Sequence, residues 1–112
     1  MEHMNVPIDI ELLYFDGCPS YRQALADLAD IIVEGKLDAA VRFVSVDTPE
    51  KADELHFAGS PTIKVNGRDL EDYRGPGVLA CRVYEENGNK GWPSKELLER
   101  RLLEALEVEA AA

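Results

Sequence analysis

The sequence predicts an α/β domain in which strands and helices alternate before a hairpin and a last helix. Three observations predict it. Ile8–Phe15 alternates and then turns wholly apolar, and a long amphipathic segment follows it. Val41–Asp47 is short and β-branched, and it runs into Thr48-Pro49-Glu50, three residue types that start a helix. Asn66-Gly67 sits between Ile63-Lys64-Val65 and Arg68, and Asn-Gly is the strongest short hairpin signal. At 112 residues and 46% apolar, the chain has the material for one domain with one modest core.

Residues 1–6 read as a loose leader. In the first strand Ile8, Ile10 and Leu12 share one face, with Asp9 and Glu11 on the other. A helix is expected from about Pro19 to Val33, with Leu25, Leu28 and Ile32 as its buried stripe, flanked by Ala24 and Ile31, and Gly35 as its stop. The second strand is followed by a short helix to about Phe57: Thr48 is its N-cap, Pro49 its first residue, and Ala52, Leu55 and Phe57 face inward. Two strands joined by a helix predict a right-handed, parallel βαβ unit. Thr62–Val65 and Arg68 to about Tyr73 form the antiparallel pair. Gly75-Pro76-Gly77 breaks it, Val78–Tyr84 is a further extended stretch or loop, and Glu85–Gly91 is turn-rich. Ser94 caps the last helix, whose inner stripe is Leu98, Leu102, Ala105 and Leu106, with Leu97 and Leu103 beside it and a frayed end at Glu109–Ala112. Trp92 is placed to staple that helix to the sheet.

The charge balance excludes some functions. Asp and Glu number 22 against 12 Lys and Arg, a net charge of −10, so nucleic acid and anionic membranes, both polyanions, are not expected partners. Met1–Asn5 has no basic start with an apolar run behind it, and no stretch approaches the ~20 apolar residues of a membrane span. The expectation is a soluble, cytoplasmic chain. Two cysteines do not make a disulfide scaffold, and in a reducing compartment the cysteines that matter are catalytic, redox-active or metal-binding.

Cys18 stands where the first strand hands over to the helix. Unpaired backbone N–H groups and the helix dipole favour an anion there, and a thiolate is one. Asp16 and the net charge oppose this, but the net charge is screened beyond about 8 Å at physiological salt. A partly accessible Cys18 in the first helical turn, with a modestly lowered pKa, is therefore expected. The alternative is a small buried hydrophobe. Tyr21 either hydrogen-bonds the thiolate or packs, Arg22 offsets acid charge or faces solvent, and Asp47 shuttles a proton or starts a turn. His3 and His56 with the two cysteines match no zinc spacing, so no resident metal or cofactor is expected.

The element order, with a cysteine after the first strand, resembles the thioredoxin fold. Ser60-Pro61-Thr62 opens the third strand where that superfamily has a cis-proline followed by Thr. Asn66-Gly67 and Gly75 fall where its hairpin turns and its fourth strand ends. The resemblance runs from Ile8 to Leu106. It implies a four-stranded mixed sheet with helices on both faces, the first two strands parallel and the third antiparallel to the first. It also implies a cis Ser60–Pro61 bond beside Cys18. The chain departs from the family's C-x-x-C: Cys18-Pro19-Ser20-Tyr21 has Tyr21 in place of the resolving cysteine. YFDGCPSYR, GSPTIKVNGRDL and LACRVY resemble a group of small bacterial thioredoxin-like proteins, some labelled alkylmercury (organomercurial) lyase. Such a lyase needs two cysteines and a nearby aspartate as proton donor, and the only aspartate beside either cysteine is Asp16.

The second cysteine, Cys81, is either buried in LACRVY or brought to Cys18. From Gly75 six extended steps reach about 20 Å, so Cys81 stays in the same half of the domain. The site expected from the sequence is Cys18 as the reactive thiol and Cys81 as a candidate distant resolving thiol, with Pro61 beside them. Its partner would be a thiol or disulfide substrate, or a soft metal ion such as Hg²⁺ or Cu⁺ held by the pair. A non-catalytic binding domain on the same scaffold is the third reading.

Overall fold

A computed structural model describes residues 7–111, with side chains to Glu107. The expectations for the leader, including His3, lie outside the described residues, as do those for the side chains of the C-terminal end. The order is β1 (Ile8–Tyr14), α1 (Tyr21–Glu34), β2 (Ala39–Ser45), α2 (Pro49–Glu54), β3 (Thr62–Val65), β4 (Arg68–Asp69), a 3₁₀ turn (Glu85–Asn87) and α3 (Lys95–Ala111). The strands form one mixed sheet in the order β2-β1-β3-β4. β1 runs parallel to β2, from Ile8 opposite Ala39 to Tyr14 opposite Ser45, and antiparallel to β3, with Leu12 opposite Ile63.

β1 divides the molecule. Ile8, Ile10 and Leu12 point to one face, where they meet Ala24, Leu28 and Ile31 of α1 and Leu97, Leu98 and Leu102 of α3. Leu13 points to the other face and joins Val46, Ala52 of α2 and Phe57. Period-two alternation thus gives one large apolar layer and one small one. The small layer covers only the carboxyl end of β1; farther back the same face carries Asp9 and Glu11, both paired with Arg42.

Several boundaries differ from the sequence reading, each for a local reason. α1 begins at Tyr21, not Pro19, because the chain enters it through a tight turn, with Arg22 N–H donating to the Pro19 carbonyl at 3.0 Å and Gln23 N–H to the Ser20 carbonyl at 3.2 Å. Gly35 caps its end as expected, and the left-handed residue is the next one, Lys36 (φ 50°). β2 starts two residues early because pairing with β1 recruits Ala39 and Ala40, whose own strand propensity is low. α2 stops at Glu54, and Phe57 reaches the core from the loop behind it. β4 has two residues because the Asp69 carboxylate accepts from the N–H groups of Glu71 (2.8 Å) and Tyr73 (3.1 Å) and turns the chain out of the sheet. In α3, Leu103 is half exposed while Leu97, Leu98 and Leu102 are buried. Trp92 packs against the large layer.

Candidate functional site

The two cysteines meet at the carboxyl end of β1. Cys18 and Cys81, 63 residues apart in sequence, form a disulfide with Cα atoms 5.8 Å apart. Each comes from an irregular segment whose path is set by side chains and backbone bonds rather than by a helix or strand.

The Cys18 side is a tight turn. Cys18 N–H donates to the Phe15 carbonyl at 3.0 Å, which closes Asp16 and Gly17 into a loop. Asp16 stays exposed, whereas Cys18 is only 2% exposed. The expectation of a partly accessible thiol in the first helical turn is therefore corrected. The helix begins three residues later, and the cysteine ahead of it is closed in beside Ser60. The Ser60 carbonyl lies 3.7 Å from Cys18 Sγ and the Ser20 hydroxyl 3.8 Å from it. Tyr21 packs instead of binding sulfur: its ring centroid is 4.7 Å from that of Tyr14, and the Arg22 guanidinium lies over it at 5.9 Å.

The Cys81 side is a seam. Residues 75–84 run along the loop between α2 and β3, bonded at nearly every second residue. His56 Nδ1 donates to the Gly75 carbonyl (2.9 Å), Gly77 N–H to Asp53 Oδ1 (3.1 Å) and Val78 N–H to the Phe57 carbonyl (2.8 Å). Ser60 N–H then donates to the Ala80 carbonyl (2.8 Å), and Arg82 N–H donates to the Ser60 carbonyl (3.0 Å). Close approach at two glycines makes this possible. A Cβ on Gly77 would overlap the Ala52 carbonyl, and one on Gly59, whose φ is 110°, would lie 3.0 Å from the Arg82 backbone.

Arg82 and Tyr84 anchor the seam to the sheet. Arg82 donates both Nη groups to Asp69, at 2.7 and 3.0 Å, and one of them also to Glu71 at 3.0 Å. Arg82 and Asp69 are both buried. Burial pushes the Asp69 carboxyl up, but the Arg82 hydrogen bonds and charge, with the two backbone N–H groups, outweigh it and hold the acid below its ordinary value. Burial pushes the Tyr84 hydroxyl up, which keeps it a donor, and it donates to the Pro61 carbonyl at 2.7 Å. The Arg82 guanidinium lies 4.5 Å from the Tyr84 ring centroid.

Pro61 follows Ser60 through a cis bond and is buried. Ser60 joins the two halves of the site. Its N–H and C=O pair with the seam, its carbonyl faces Cys18 Sγ, and its hydroxyl accepts from Phe15 N–H at 3.1 Å.

No family model matches the chain, and no curated protein or solved structure matches it. Among the described residues no three His, Cys, Asp or Glu side chains are grouped to hold a metal ion. His56 is occupied with Gly75, and Asp47 is exposed. No helix among the described residues is long and apolar enough to cross a membrane.

Sequence reasoning singled out Cys18, Cys81 and Pro61, and the structure brings all three to one end of the sheet. It passed over Ser60, Asp69, Arg82 and Tyr84. A signal existed for one of them: Arg82 interrupts the apolar run from Val78 to Tyr84, and a buried arginine needs a carboxylate partner. Which of the chain's 22 acids that would be was not legible.

Proposed function

We propose that this chain is a thioredoxin-like, thiol-dependent redox protein of the cytoplasm whose Cys18–Cys81 pair cycles between disulfide and dithiol. One observation carries the reading. Two cysteines far apart in sequence, the only two in the chain, lie bonded at one end of the sheet, and one of them is an exposed residue. The strand order β2-β1-β3-β4, the cysteine behind β1 and the Ser60-Pro61-Thr62 segment facing it support the thioredoxin-like assignment. The distant Cys81 supplies the partner that Tyr21 denies to Cys18. In a reducing compartment such a disulfide is transient and turns over with the thiol pool.

The rival reading is a staple. Closing a loop of 63 residues removes unfolded-chain entropy worth about 4 kcal/mol. Reversible equilibration with defined glutathione and dithiothreitol buffers, read by mass shift after alkylation, separates the two. A redox protein should exchange within minutes at a potential above about −300 mV, whereas a structural disulfide lies below that. A pair that stays oxidised under those conditions removes the redox reading. Stoichiometric Hg²⁺ uptake by the reduced protein without dithiol exchange would transfer the pair to soft-metal chemistry.

A further inference from the structure

The two sulfurs of the disulfide are not equivalent, and their difference reverses the order of action expected from the position of Cys18 behind β1. We infer that exchange begins at Cys81, with Cys18 as the buried sulfur that leaves and later resolves, and that the reacting thiol is a cysteine in an extended polypeptide segment. This rests on the redox reading above.

Thiol–disulfide exchange is an in-line displacement, so the incoming thiolate approaches along the S–S axis from beyond the attacked sulfur. Cys81 is an exposed residue, so an incoming thiolate has an open approach on its side of the bond. Cys18 is 2% exposed, and its side of the bond is closed to one. Once reduced, Cys18 faces a carbonyl oxygen at 3.7 Å in a buried setting, and both features favour its thiol form over its thiolate. Cys18 is therefore the poorer first nucleophile in the reverse direction as well.

The backbone beside Cys81 names the kind of thiol. Ser60 bonds to Ala80 and Arg82, the residues on either side of Cys81, in a parallel bridge. Alternation turns the N–H and C=O of Cys81 away from Ser60. Tyr84 bonds to Lys90, so Val83 continues the same free edge. Among the described residues none of the four backbone groups of Cys81 and Val83 has a hydrogen-bond partner, and both side chains are exposed. This is a short open edge of extended chain running past the reactive sulfur. An extended peptide adds to such an edge through its own main chain, which a small thiol cannot do. At a net charge of −10, with Glu85 and Glu86 just beyond the edge, a neutral or basic segment fits and an acidic one does not.

The step balances. The peptide thiolate attacks Cys81 Sγ, a peptide–Cys81 mixed disulfide forms, and the Cys81–Cys18 bond breaks. Cys18 leaves as a thiolate, with the Ser20 hydroxyl 3.8 Å away to donate to it, and takes a proton from water. A second thiolate of the same segment then attacks the peptide sulfur and releases Cys81. The substrate dithiol is oxidised to a disulfide, and the protein disulfide is reduced to two thiols.

The test uses a neutral two-cysteine peptide and the same peptide N-methylated at the residues flanking its attacking cysteine. Oxidised protein is mixed with each, quenched with alkylating agent, and the mixed disulfide located by peptide mapping. It should be found on Cys81. Reduced Cys18→Ser protein should form a stable adduct with the disulfide-linked dimer of a one-cysteine version of the peptide, which has no second thiol to release it, and Cys81→Ser protein should do so about 30-fold more slowly or not at all, because access limits the buried thiol. N-methylation should slow adduct formation about tenfold, the equivalent of one lost hydrogen bond. An adduct on Cys18, equal rates for the two serine variants, or equal rates for the two peptides overturns the inference. Wild-type oxidation of the peptide with the adduct on Cys18 leaves the redox reading standing; no oxidation of any dithiol removes that reading itself.

Discussion

The large apolar layer on one face of β1 and the Cys81 seam at the carboxyl end of that strand are built by opposite means. Above β1, Ile8, Ile10 and Leu12 are sealed by α1 and α3 through burial alone, a force without direction that accepts any well-fitting apolar side chain. At the carboxyl end, residues 75–84 have no helix or strand of their own. They are fixed by hydrogen bonds to the α2–β3 loop, a buried ion pair and one covalent bond. Burial gives a stable scaffold, whereas directional bonds place a given sulfur at a given point. The two cysteines belong to the second region, where directional bonds fix their positions.

Breaking the seam at its centre should have the largest effect. Arg82→Met leaves the Asp69 carboxylate buried and unpaired and should cost about 3–5 kcal/mol in urea unfolding. Adding Asp69→Leu should restore much of that, since the pair is then replaced rather than broken. The double variant should also lose part of the acid sensitivity. Asp69 is held below its ordinary value near 3.8, so its stabilisation is complete above that pH and vanishes as pH falls through the lower folded value. The difference in stability between wild type and double variant should therefore shrink from pH 5 to pH 2. Asp9 and Asp72, exposed and paired in both proteins, cancel in the difference.

Reduction of the disulfide comes next. It should lower stability by about 2–4 kcal/mol, read as a shift of the urea midpoint, and should loosen the seam before the large layer. Hydrogen exchange should show it: amides of Ala80 and Arg82 gain exchange on reduction while those of α1 and α3 keep their protection. Equal gains in both regions would mean that the seam and the layer form one cooperative unit.

Leu98→Ala tests the layer itself and should cost about 2–5 kcal/mol through lost burial and a cavity. It should leave the exchange rate of the folded protein unchanged, whereas Arg82→Met should alter it. The smallest effect is expected from Tyr84→Phe. It removes the donor to the Pro61 carbonyl, should cost about 1–3 kcal/mol, and should quicken reaction at Cys81 by loosening the end of the seam.

Those differences also separate what could be read from the residues from what could not. The alternation in Ile8–Leu12, the Thr48-Pro49 start of α2, whose Thr48 hydroxyl accepts from Lys51 N–H at 3.1 Å, and the Asn66-Gly67 turn all act within a few residues, and each was legible. The end of β4 was not, because Asp69 turns the chain while bonded to Arg82, 13 residues away. The burial of Cys18 was not legible either: a cysteine ahead of a helix reads as exposed until the Ser60 loop and the Cys81 segment are seen to meet it.

By itself the sequence determined the order of the elements, the apolar face of β1, the hairpin, and the confinement of both cysteines to one half of the molecule. Local sterics, capping and hydrophobic period are encoded within short windows, so they can be read one window at a time. Only the tertiary structure decided that Cys18 is closed in and Cys81 open, that Arg82 holds Asp69, and that the edge at Cys81 and Val83 is free. Those outcomes depend on which distant groups satisfy each buried polar atom, and a chain with 22 acids and 12 basic side chains offers many pairings of nearly equal local merit. Packing of the whole chain chooses among them.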